Sequence, residues 1–128
     1  MAFLPSSLIY AKRIPGKGLG VFAKVDIAAG TEIERVPVIV LPANEARQLP
    51  GGGVIGNYAF TWSKGQVAIA LGFGSLYNHA VKPNATCADP APRTKVFVAR
   101  TRIHANEEIT INYHGEPGVR ADVGFPMR

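Results

Sequence analysis

Glycine and proline interrupt this chain so often that no long helix can form in it. Its 128 residues include 14 glycines and 10 prolines, spread along the whole length. Inside a helix, glycine costs about 1 kcal/mol and proline about 3 kcal/mol relative to alanine. Short strands joined by turns are what such a sequence favours. Alternation and β-branched runs mark strands over residues 8–12, 21–24, 32–41, 67–71, 95–100 and 108–113. One short helix fits residues 43–49, begun near Pro42 and stopped before Pro50-Gly51. Pro50-Gly51-Gly52-Gly53 reads as a flexible loop, and Asp89-Pro90-Ala91-Pro92 as a stiffer one. The expected class is all-β, in small sheets with little helix.

The remaining composition narrows what such a domain can be. Hydrophobic residues reach 47% against 18% charged, which excludes a disordered, charge-rich chain and supplies one core for one domain. The lone Cys87 cannot form an internal disulfide and fits a reducing compartment. Residues 66–80 carry no charge but hold polar residues and glycine breaks, so no membrane span is expected. Residues 1–10 lack the basic start and apolar centre of a signal peptide. The net charge of +5 is dispersed, with no basic run beyond Lys12-Arg13, so direct nucleic-acid binding is not expected.

A faint internal echo runs through the turns. Ile27-Ala28-Ala29-Gly30-Thr31-Glu32-Ile33 and Ile103-His104-Ala105-Asn106-Glu107-Glu108-Ile109 share the pattern I-x-A-[GN]-x-E-I. The fourth position carries Gly30 or Asn106, the residue types that best tolerate positive φ. Each copy reads as a tight turn feeding a strand; coincidence in a turn-rich chain is the plainer alternative.

Three segments hold candidate chemistry. Gly16-Lys17-Gly18-Leu19-Gly20-Val21-Phe22 places glycines where backbone amides can approach a ligand, but a strand follows, whereas phosphate loops need a helix. Asn78, His79 and Asn84 sit among small and apolar residues, where a buried turn network is the plain reading. In Ile109-Thr110-Ile111-Asn112-Tyr113, Tyr113 falls on the isoleucine face at the strand's end, able to reach a cavity. Cys87, Asp89, His79, His104 and His114 lack the spacing of a structural zinc site, so no metal is expected. A Cys87–histidine nucleophile pair has no support either.

Taken together, N-H-x-x-x-P-N at Asn78 to Asn84, E-E-I-T-I-N-Y at Glu107 to Tyr113 and G-L-G-V-F at Gly18 to Phe22 resemble the ordered signature of the SET domain. SET domains are protein-lysine N-methyltransferases that use S-adenosyl-L-methionine and release S-adenosyl-L-homocysteine. The resemblance spans residues 9–113 and looks most like the short, SET-only viral and bacterial members. It implies a β-clip fold in which the last two motifs cross in a pseudoknot, bringing Asn78 beside Tyr113. It implies that Lys17, Gly18, Leu19 and Gly20 contact the cofactor through backbone groups. Asn78 then holds its amino end, and His79 reads the adenine through its backbone. Tyr113 matches the catalytic tyrosine, with Tyr58 and Tyr77 as channel residues. Phe125, in the tail 114–128, is the candidate cover for the adenine. The family usually continues N-H-S-C where this chain has Ala80 and Val81, and it often carries a cysteine-rich cluster that is absent here. The implied partner is a protein or peptide bearing the target lysine, histone-like or otherwise basic. A homodimer is admissible, and the expected location is cytoplasmic, or nuclear or host-directed for a viral or effector protein. A binding module of the same fold without turnover is the alternative.

Methyl transfer needs a neutral amine. With pKa ~10.4, about one lysine in 2,500 is neutral at pH 7, a deficit of roughly 4.6 kcal/mol. A tyrosine-lined apolar tunnel opposes the ammonium by desolvation. A sulfonium about 4 Å away adds roughly 4 kcal/mol at an effective dielectric near 20. The signature contains no obligatory base, and these two effects make one unnecessary.

Overall fold

The computed structural model describes residues 2–47 and 58–113. In chain order these residues form β1 (Ile9–Ile14), β2 (Gly18–Ala23), β3 (Glu32–Pro42), α1 (Ala43–Arg47), β4 (Ala59–Thr61), β5 (Gln66–Ala70), β6 (Asn78–His79), β7 (Ala85–Ala91), β8 (Thr94–Ala99) and β9 (Glu108–Ile111). One sheet has the order β1-β2-β9-β6, the other β4-β5-β3-β8-β7. The core between them is built from the inward-facing members of alternating strands. Phe97, Ile33, Ile103, Ile109, Ile111 and Val21 are fully buried there.

The six expected strands and the helix are present, and three further strands are not among the expectations. β6 is two residues long, too short to show a period. β7 takes in Asp89-Pro90-Ala91, which corrects the stiff loop expected at residues 89–92. Its pairing with β8 shifts register between Ala88 and Ala91, and it lies at the sheet's edge. A proline is tolerated in a bulge on an edge strand because it forfeits no ladder hydrogen bond there. The flexible loop expected at residues 50–53 lies outside the described residues.

The echo is structural. The hairpin β1–β2 and the hairpin β7–β8 repeat each other's register at a constant offset along the chain. Ile9↔Ala23 matches Ala85↔Ala99, Tyr10↔Phe22 matches Thr86↔Val98, and Lys12↔Gly20 matches Ala88↔Val96. The turns that follow pair crosswise. Ile27 N donates to Ile103 O at 2.8 Å, and Ile103 N to Ile27 O at 2.9 Å. Gly30 and Asn106 both adopt positive φ, at 87° and 69°. Gly30 N donates to Ala99 O, just as Asn106 N donates to Ala23 O. The two units thus face each other about an approximate two-fold axis through Ile27 and Ile103.

The crossing of the two late motifs is also present. β9, from the second unit, returns to lie between β2 and β6, antiparallel to β2 and parallel to β6.

Candidate functional site

Gly20 of β2, Asn78 of β6 and Glu108 of β9 meet where these three strands run together. A Cβ on Gly20 would stand 2.6 Å from Ile14 Cδ1, 2.9 Å from Glu108 Oε2 and 3.0 Å from Asn78 Nδ2. Only glycine lets the backbone come so close. The Asn78 side chain is buried, and its Nδ2 donates to Glu108 Oε2 at 2.7 Å and to Leu19 O at 3.3 Å. Asn78 Oδ1 is buried and accepts no hydrogen bond. Leaving such an oxygen unpaired costs about 1–3 kcal/mol, so it marks a place for a donor group from a ligand. Gly18 holds a φ of 83°, and the Lys17 amide closes the turn by donating to Ile14 O at 3.0 Å. That amide is therefore spent within the chain, and of the four residues expected here Leu19 and Gly20 reach Asn78.

Tyr113 follows β9 and wraps against the segment 77–79. Its hydroxyl donates to Tyr77 O at 2.9 Å, and its amide donates to His79 Nδ1 at 3.0 Å. Its ring stands edge-on to His79 at 5.1 Å between centroids. Because Nδ1 accepts, the neutral His79 imidazole carries its proton on Nε2. The side chain of His79 thus sets the position of Tyr113. Asn84 clamps β9 as a strand would: its Nδ2 donates to Glu108 O at 2.8 Å, and its Oδ1 accepts from Thr110 N at 2.9 Å. Ala80 and Val81 contribute backbone bonds, Ala80 N to Ile111 O and Val81 O from Asn112 Nδ2. The departure from N-H-S-C leaves these backbone bonds in place.

Tyr77 is not a channel wall. Its ring is buried, stacks on Phe97 at 4.3 Å, and sends its hydroxyl to Glu34 Oε1 at 2.8 Å. Only its carbonyl faces the site. The sequence offers a phenol at this position, but stacking on Phe97 and the bond to Glu34 hold the ring inward. Glu34 Oε2 accepts from Phe73 N at 2.9 Å. Burial raises the Glu34 carboxyl above its ordinary range, with these hydrogen bonds acting against it. Burial, then the Glu34 charge, pushes the Tyr77 hydroxyl well up.

Tyr113 also lines a cleft of about 420 Å³, together with Phe60, Thr61, Cys87, Asp89, Lys95 and Asn112. It differs from a tyrosine-ringed tunnel, since Tyr113 is the one phenol among these lining residues. Tyr58 is half-buried in the turn before β4, two positions from Phe60. Lys95 is the residue that sequence reasoning missed. Its Nζ lies 4.3 Å from the centre of the Phe60 ring, 5.7 Å from that of Trp62 and 2.8 Å from Asp89 Oδ1. A lysine inside the apolar run Thr94-Lys95-Val96-Phe97-Val98-Ala99 was the visible signal. Its partners lie on other strands, out of reach of local pattern. Burial pushes the Cys87 thiol up, with the Lys95 charge pulling it back, so it stays protonated and is a poor nucleophile. Among the described residues, no group of three or more histidines, cysteines or carboxylates is placed to hold a metal ion. Phe125 lies outside the described residues.

Comparison with known proteins covers this same stretch. The SET domain family model matches residues 18–114. The histone-lysine N-methyltransferase, H3 lysine-37 specific, of Schizosaccharomyces pombe is 36% identical over 98 residues, 76% of this chain and 67% of that protein. The crystal structure of a candidate histone methyltransferase from Plasmodium falciparum superposes with a TM-score of 0.67 at 29% identity, covering 86% of this chain and 94% of the other. Sequence, fold and the crossing of β9 with β6 agree, and the chain belongs to the SET domain family.

Proposed function

We propose that this protein lysine methyltransferase takes its methyl group from S-adenosylmethionine and delivers it to a lysine of a basic, histone-like protein. The observation that carries this reading is the position of Tyr113, which bonds the residues on either side of Asn78 and also lines the Lys95 cleft. The cradle's residues suit the cofactor. The unpaired Asn78 Oδ1 is a ready acceptor for its amino group, and the bare Gly20 backbone admits close approach. When bound, the cofactor supplies an activated methyl on a positively charged sulfur.

The chain's own residues then do three things. Leu19, Gly20 and Asn78 fix the donor end, with Asn78 itself fixed by Glu108. Phe60 and Cys87 keep water from the incoming side chain, and a desolvated lysine loses its proton more readily. Tyr113 orients the amine. Its hydroxyl hydrogen is committed to Tyr77 O, so toward the substrate nitrogen that oxygen acts as an acceptor. The proton lost by lysine leaves to solvent through the open cleft before transfer. Asp89 is engaged by Lys95 and takes no part in this step. Alignment therefore carries much of the barrier reduction.

The test is Tyr113→Phe. Turnover with labelled S-adenosylmethionine should fall about a hundredfold or more, the cost of losing one preorganised polar contact to the reacting group. Calorimetric binding of the cofactor should persist. Wild-type turnover in this variant would refute the role given to Tyr113.

A further inference from the structure

We propose that Asp89 is a specificity residue, whose carboxylate selects substrates with a basic side chain next to the target lysine. The inference rests on the cleft being the entry for that lysine, as argued above. It deepens that reading by naming the substrate class.

The geometry of one ion pair carries it. Lys95 is buried, with its side chain 4% exposed, whereas the side chain of Asp89 is 41% exposed. The pair is therefore a fixed dipole across the cleft's edge, with its positive end under the Phe60 and Trp62 rings and its negative end toward solvent. The aromatic faces attract the ammonium and Asp89 binds it at 2.8 Å, so moving Lys95 out breaks both contacts. Asp89 is pinned as a result. It sits within the β7 bulge between Ala88 and Ala91, a feature that re-aims side chains at sheet edges.

An ionised carboxylate has about four lone-pair positions, and Lys95 is the one described residue that binds it. The outer oxygen is open to a guanidinium or a second ammonium arriving with the substrate. Among the described residues lining the cleft, Asp89 is also the one acid, in a chain of net charge +5. A cationic peptide repelled by the protein at large meets its attraction here, the arrangement by which charge sets partner choice.

Two synthetic peptides test this, each with a single lysine, one flanked by arginine and the other by glutamine. The wild type should show the higher kcat/KM on the arginine peptide. Asp89→Asn should cut the ratio of the two values by roughly threefold to fivefold, the worth of a partly exposed ion pair, mainly through KM. Asp89→Lys should bring the ratio below one. An unchanged ratio, or an equal loss on both peptides in the two variants, would overturn the proposal and leave Asp89 as a mere support for Lys95. Absence of transfer by the wild type to either peptide, with no cofactor uptake by calorimetry, would overturn the underlying reading together with this one.

Discussion

Gly20→Ala separates the donor cradle from the rest of the fold. Gly20 has no positive φ, so the added methyl brings steric cost without backbone strain. Of its three close neighbours, Ile14 Cδ1 is the tip of a flexible side chain and can turn aside. Glu108 Oε2 and Asn78 Nδ2, at 2.9 and 3.0 Å from the new carbon, are bonded to each other at 2.7 Å. Neither yields without opening that bond. Overpacking of this kind costs about 1–3 kcal/mol. A displaced Asn78 also forfeits its hydrogen bond to a charged ligand amine, worth about 1.5–3 kcal/mol, or roughly tenfold to a hundredfold in affinity. Gly30→Ala is the matched control. Gly30 has a φ of 87° and open space where a Cβ would stand, so the variant suffers about 1–2 kcal/mol of left-handed strain far from Asn78. Urea denaturation should find both variants destabilised to a similar degree. Calorimetry with S-adenosylmethionine should find weakened binding in Gly20→Ala alone. Equal affinities in the two variants would show that the cofactor does not depend on the Gly20–Asn78–Glu108 contact.

Two further outcomes follow from buried and strained positions. Burial raises the carboxyl of Glu34 above 4.5, so the folded state holds this proton more tightly than the unfolded one. The associated stability is complete below the unfolded value and is lost as pH climbs through the raised one. Melting temperature measured against pH should therefore fall for the wild type relative to Glu34→Gln over that interval; a constant difference would contradict the burial argument. Gly30→Asn should cost less than Gly30→Ala by thermal melting, because Asn106 already occupies the equivalent turn at a φ of 69°. An equal cost would undercut the equivalence of the two turns.

The strands were legible where β-branched or alternating apolar residues run together, and the motif segments announced Asn78 and Tyr113. What stayed hidden depends on contacts between distant strands. Tyr77 shows this best: its sequence neighbours suggest a phenol at the site, yet burial against Phe97 and Glu34 turns the ring away and leaves the carbonyl to hold Tyr113. Lys95 and Asp89 are separated by a turn in sequence, and neither foretells the Phe60 and Trp62 rings that cover the ammonium. Pro90 argued for a loop, and only edge position and a bulge reconcile it with β7.

The repeated units explain why the site stands where it does. Glu32 and Glu108 open the equivalent strands β3 and β9, and pair with the equivalent residues Val98 and Phe22. Their fates differ. Glu32 is exposed and bonds Arg35 at 2.8 Å, whereas Glu108 is half-buried and fixes Asn78. The difference is the outer neighbour: β6 runs parallel to β9 beside Thr110 and Ile111, whereas β5 meets β3 antiparallel and only from Val38 onward, away from Glu32. β6 comes from the stretch between the two units, the same stretch that supplies Phe60, Trp62, Tyr77 and His79. Leu19 and Lys95 each precede the equivalent residues Gly20 and Val96, yet the first offers its carbonyl to Asn78 and the second its ammonium to the cleft. A symmetric scaffold alone would present two similar surfaces. The intervening segment breaks that symmetry, so one hairpin borders the Gly20–Asn78–Glu108 contact and the other the Lys95 cleft, with Tyr113, just past β9, lining that cleft and bonded to Tyr77 and His79.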